Sequence, residues 1–285
     1  LNESSGPNIN SDTAFRIVSI SKNIAAASAL VVINQSKAQT NVPRLTLDTP
    51  LADILPSFRL PVKDWENGCS EIALSMLGSE SSGLPREGYQ TDFNDVSGLA
   101  RASVGLIGDF WSSATPDSVV QNVLQQGLAF APSQRASYSN AGFSMLGYGI
   151  ANYRNLLRST SLSWGEVATE DVLKPLNMSH SFFGPIPNQL KKNISVPNTA
   201  NWADLVIRAG YDPAVGMWSF ANDLVSYLHH VWLQPTPQLI TPTQRRTVLQ
   251  PRITLPDGVQ ELGFGWEISV TKRNSTSVSP TFAPS

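Results

Sequence analysis

Residues 19–33 (SISKNIAAASALVVI) are apolar on almost every side, unlike the one-sided stripe of a surface helix. That pattern predicts a helix buried all round, with Ser19 placed as its cap or first-turn residue. Residues 141–157 and 164–173 predict two more helices. Residues 116–128 and 222–232 carry their apolar positions at helical spacing on one face, the second of them capped at its start. A shorter helix is expected over residues 70–78, stopped by the turn Ser81-Ser82-Gly83-Leu84-Pro85. Residues 46–58 mix Pro and Asp with a short helical stretch. Only residues 262–270 (LGFGWEISV) alternate as a strand does. Residues 1–13 read as a polar loop and 271–285 as a Ser/Thr-rich tail. The pattern as a whole predicts many helices and few strands in a single domain of 285 residues.

Charge narrows the partners. Lys plus Arg number 20 against 22 Asp plus Glu, a net charge of -2, which supplies no basic field for a nucleic acid. The longest apolar run, residues 24–33, is about half of the roughly 20 residues that a membrane-spanning helix needs. Cys69 is the sole cysteine, so an internal disulfide and a multi-cysteine metal site are both excluded. His180, His229 and His230 lack zinc-site spacing, and no nucleotide-binding glycine motif is present, so neither a metal nor a cofactor is expected. N-x-[ST] sequons at Asn2, Asn34, Asn177, Asn193 and Asn274 point toward a secreted glycoprotein.

Two short groups carry candidate chemistry. On a helix, residues three apart share a face, so the Lys22 amine can reach the Ser19 hydroxyl. A serine hydroxyl needs a base to become a nucleophile, and burial among apolar neighbours can lower a lysine's pKa enough to make it one. Tyr138-Ser139-Asn140 stands just before the apolar helix. A tyrosine beside a cationic lysine ionises more easily and can shuttle a proton, while the Asn140 amide can hold a lysine or a substrate carbonyl. The copies Ser269 to Lys272 and Tyr153-Arg154-Asn155 read as incidental, the first because no helix follows it.

FRIVSISK (15–22), SSGLP (81–85), FAPSQRASYSNAGFSMLGYGIA (130–151) and DPAVGMWSFANDL (212–224) occur in one order and span roughly residues 13 to 268. In these segments the chain resembles the serine β-lactamase and penicillin-binding-protein superfamily, in its class C-like branch that includes the β-lactamase-related hydrolases of eukaryotes. The resemblance implies an α+β fold of β-lactamase/transpeptidase type. It further implies a serine hydrolase or acyltransferase acting on a small-molecule ester or amide. In that frame Ser19 is the acylated nucleophile, Lys22 its proton acceptor and Tyr138 the residue that helps activate the deacylating water. Asn140 would contact substrate and Lys22. No metal or cofactor is implied, and the oligomeric state is not readable.

The family's third motif, a basic residue followed by Thr or Ser and Gly, is found at none of the 19 glycines. The initial strands of relatives are missing as well. The expectation is therefore an incomplete domain with a truncated antiparallel sheet and an uncovered apolar face on the Ser19 helix. The alternative function is a truncated, non-catalytic binding or scaffold protein.

Overall fold

Alanine at four of five positions from 25 to 29 lets other elements approach one helix closely from every side, and the fold is built on that. The computed structural model describes residues 9–60, 71–88, 114–195 and 209–270. Residues 1–8, Cys69, Ser70 and the 271–285 tail lie outside the described residues, as do Lys272 and the sequons at Asn2 and Asn274. The central helix α1 (Ser21–Ser36) is preceded by a single 3-10 turn (Val18–Ile20). Each residue from Ile24 to Ile33 is buried, Ser28 included.

Helix α2 (Leu51–Ile54) and helix α3 (Leu74–Gly78) are short. Helix α4 (Pro116–Gln126) has Pro at its first turn and a reciprocal Thr115–Ser118 cap. Helix α5 (Asn140–Arg158) is the longest and packs on α1, α2, α3 and α4. Helix α6 (Trp164–Ala168) begins at a Ser163–Glu166 capping box and runs on as a π-helical turn, Thr169–Leu173. Buried Arg154 ties α5 to that turn, pairing with Asp171 at 3.4 Å and with Glu170. Helix α7 (Asp212–Val215) lies against both α1 and α5. Its contact with α5 passes over Gly147, where an added Cβ would stand 2.4 Å from Pro213. Helix α8 (Ala221–Tyr227) continues as a second π-helical stretch, Leu228–Leu233, and helix α9 (Pro242–Val248) follows.

Sheet structure is slight. Strand β1 (Phe15–Arg16) pairs antiparallel with β2 (Trp218–Ser219), and β3 (Ile253–Thr254), β4 (Gln260–Leu262) and β5 (Glu267–Ser269) form a three-stranded meander. The predicted α+β, mainly helical class holds, and no helix among the described residues is long and apolar enough to cross a membrane.

Four local expectations are corrected. Residues 262–270 are not one strand: Leu262 pairs with Glu267 and the chain reverses between them, with Gly265 at φ +76°. Alternation persists through a tight reversal, and the left-handed backbone open to glycine makes the reversal possible. The helix expected from residue 70 begins at Leu74, after the extended Ala73. Helix α8 has no side-chain cap, because Phe220 occupies the capping position. The bare face expected on α1 does not exist among the described residues. Helices α5, α6 and α7 cover it, Gln244 of α9 donates to the Leu30 carbonyl at 2.8 Å, and the β4–β5 turn lies against it at Asn23, whose amide donates to the Gly265 carbonyl at 2.9 Å.

Candidate active site

Ser19 is exposed and held by what comes before it. The Ile17 N–H donates to the Met217 carbonyl at 3.1 Å, and the Met217 N–H donates back to Ser21 Oγ at 3.1 Å. Between these anchors Val18 turns through φ +45°, a conformation that costs a β-branched residue energy. Such strain gathers at functional sites. Ser19 therefore sits in the 3-10 turn rather than capping α1; Ile20 occupies the cap position and makes no side-chain bond there. Ser19 lies at the positive end of the 16-residue α1, in a turn where the Ile20 N–H donates to the Ile17 carbonyl at 3.1 Å.

Three residues on, the buried Lys22 ammonium donates to Ser19 Oγ at 3.2 Å, Tyr138 Oη at 2.7 Å, Asn140 Oδ1 at 2.5 Å and the Ala214 carbonyl at 3.1 Å. Tyr138 Oη also bonds Ser19 Oγ. All four sequence-predicted residues thus meet in one hydrogen-bonded cluster, although 116 positions separate Lys22 from Tyr138. Ser139 directs the last two. Its Oγ accepts the Gly142 N–H at 2.8 Å, starting α5 at Asn140, and donates to the Pro85 carbonyl at 2.7 Å.

Two carboxylates that the sequence did not single out lie beneath this cluster. Glu80 accepts the Ser139 N–H at 2.6 Å, and Glu87 accepts from Asn140 Nδ2 at 2.6 Å. The second bond fixes the amide's orientation, so that Oδ1 points at Lys22. Both acids are buried, on either side of the Ser81–Pro85 turn. Their available signal was placement: charged residues closely flanking a turn of small and apolar residues. The Ala214 carbonyl left none, since every residue has one.

Burial pulls the Lys22 pKa down to about 8, against the opposing pull of Glu80 and Glu87. Burial pushes Glu80 up and Glu87 up to about 7. The Tyr138 phenol is also pushed up by burial, with its bond to Ser19 acting the other way. Burial of the phenol thus acts against the easier ionisation the sequence suggested for Tyr138. Tyr138 stays a neutral O–H that can accept and donate. Beside the cluster is a cavity of about 90 Å³ whose lining includes Ser19, Lys22, Glu80, Tyr138, Trp266 and Glu267. The arrangement combines an accessible hydroxyl, an amine of lowered proton affinity and a hydroxyl bridge between them, which are the parts of a nucleophilic acyl-transfer site.

The chain has relatives among known proteins. The chain is 22% identical over 282 residues to Beta-lactamase-like protein 4 of Dictyostelium discoideum, with 94% of this chain and 46% of that protein covered. It is also 22% identical over 276 residues to the D-alanyl-D-alanine-carboxypeptidase/endopeptidase AmpH of Escherichia coli, covering 94% of this chain and 64% of that protein. The chain thus spans about half to two thirds of the length of these relatives. Among solved structures, a beta-lactamase/D-alanine carboxypeptidase from Yersinia pestis superposes with a TM-score of 0.68 at 17% identity, over 95% of this chain and 71% of that one. That likeness establishes the β-lactamase/transpeptidase-like fold. The family model for Beta-lactamase matches residues 2–281, nearly the whole sequence, and the chain belongs to that family.

Proposed function

We propose that this chain is the serine-hydrolase portion of a β-lactamase-related enzyme that cleaves a small-molecule ester or amide through an acyl-Ser19 intermediate. The observation that carries the reading is the Lys22 ammonium shared among Ser19 Oγ, Tyr138 Oη and Asn140 Oδ1. In its neutral form the amine takes the Ser19 proton, directly or through Tyr138, as Oγ bonds to the substrate carbonyl carbon. The same proton is then returned to the departing alcohol or amine as its bond to that carbon breaks. In the second half a water gives a proton to the Tyr138–Lys22 pair and attacks the acyl carbon, and the proton returns to Ser19 Oγ as the acid leaves. The Ser19 amide, at the positive end of α1, is suited to the developing oxyanion. Asn140 keeps Lys22 in place through Oδ1, and its Nδ2 is held by Glu87, so its part in this reading is to position the lysine.

A fluorophosphonate or penicillin-type probe is expected to add its mass to the peptide that carries Ser19, and Ser19→Ala to abolish the addition. Labelling that survives Ser19→Ala would sink the assignment. A folded wild-type protein that takes up neither probe would favour the non-catalytic binding or scaffold reading.

A further inference from the structure

The loop before Tyr138's partners contains a residue whose backbone conformation does not suit it. Glu80 has φ +58°, a left-handed conformation that Gly or Asn adopts at less cost. Turn geometry alone gives no reason for a glutamate there, so the side chain must be the reason. Its carbonyl accepts the Ser137 N–H at 2.8 Å and its carboxylate accepts the Ser139 N–H at 2.6 Å. One residue thus grips the backbone on both sides of Tyr138. Glu80 also lines the cavity with Ser19, Lys22 and Tyr138.

We propose that Glu80 is a positioning residue for the reaction, holding the Tyr138 hydroxyl against Ser19 through the Ser139 amide and governing from the cavity wall how readily Lys22 releases its proton. The inference rests on the acyl-Ser19 reading. The ionisable groups facing Lys22 are Glu80, Glu87 and Arg86 from the loop beneath, Glu267 from β5, and the Tyr138 hydroxyl. Glu87 is committed to the Asn140 amide, and Arg86 and Glu267 are more solvent-exposed. Glu80 is the buried carboxylate that both faces the cavity and acts most strongly on Lys22 among these groups. Burial pushes the Glu80 carboxyl up to about 8, so its charge develops in the range where Lys22 titrates; that charge favours the ammonium form, and removing it lowers the pH at which the neutral amine appears.

The test is the rate of Ser19 modification by a fluorophosphonate probe between pH 5 and pH 10, read by mass spectrometry. In the wild type the rate is expected to rise through about pH 8 as Lys22 deprotonates. Glu80→Gln keeps an acceptor oxygen for the Ser139 N–H and removes the charge. Its rise is expected to move to lower pH, with an unchanged circular dichroism spectrum. Glu80→Ala frees the Tyr138 segment and is expected to slow labelling at every pH by about 100-fold. If that variant does not fold, Glu80→Gln decides by itself. A Glu80→Gln profile superimposing on the wild type would overturn this inference while leaving the acyl-Ser19 reading intact. A wild type that fails to label at all would overturn both.

Discussion

Lys22 shows how one residue's surroundings set its chemistry. A buried ammonium is costly unless its protons find acceptors, and four oxygens stand around its three N–H bonds. Two of those oxygens are hydroxyls, which can take the proton on, so the group that stabilises the lysine also gives it a route to Ser19. Tyr138 is the bridge in that route, kept neutral because burial disfavours its phenolate. Tyr138→Phe retains the ring beneath the Arg86 guanidinium, 4.9 Å from its centroid, and removes only the bridge. Stopped-flow or mass-spectrometric measurement of Ser19 acylation is expected to show a loss of about 100- to 10,000-fold, with thermal unfolding little changed. Undiminished acylation would assign Tyr138 a purely structural place.

At the scale of elements, the site depends on how closely three helices approach one another. Helix α7 offers the Ala214 carbonyl to Lys22 of α1 while its Pro213 rests on Gly147 of α5. A methyl group at position 147 would stand 2.4 Å from Pro213, so the two helices must separate to accept it. Gly147→Ala is therefore expected to cost about 1–3 kcal/mol in urea unfolding and to weaken acylation, because the Ala214 carbonyl moves with α7. Unchanged stability would mean that α7 shifts freely. The longer helices α1, α4, α5 and α6 were legible from their apolar pattern, whereas the caps were not: Ser19 and the start of α8 make no cap bond, and Thr115 and Ser163, which the pattern had not marked, do. The β4–β5 reversal was not legible, because apolar–polar alternation is the same in a strand and in a hairpin. The π-helical runs after Ala168 and Tyr227 left no local signal either; a π turn keeps a helical side-chain pattern and differs only in which carbonyl accepts.

Across the whole molecule, segments far apart in sequence close around α1. Phe264, at the β4–β5 turn, is completely buried, and the neighbouring Gly265 N–H donates to the Gly78 carbonyl at 2.7 Å. That contact joins the loop carrying Glu80 to the last described strands and completes the cover of the Ser19 helix. Phe264→Ala is expected to destabilise the protein by about 3–5 kcal/mol, measured by urea denaturation, and to reduce Ser19 labelling in the fraction that remains folded. A loss below about 1 kcal/mol would show that the hairpin is not integral to the fold.

The sequence by itself determined the buried central helix, because apolar residues all round a helix admit only an interior position. It also determined the Ser19–Lys22 juxtaposition, which follows from local helical spacing, and the candidacy of Tyr138 and Asn140, which follows from side-chain chemistry and family resemblance. Only the tertiary structure decided that Tyr138 meets Ser19, that the Ala214 carbonyl and two buried carboxylates complete the cluster, and that a hairpin covers α1. These are contacts between segments distant along the chain. Hydrophobic period and capping residues specify what each segment does locally, whereas which oxygen reaches which proton depends on how those segments pack.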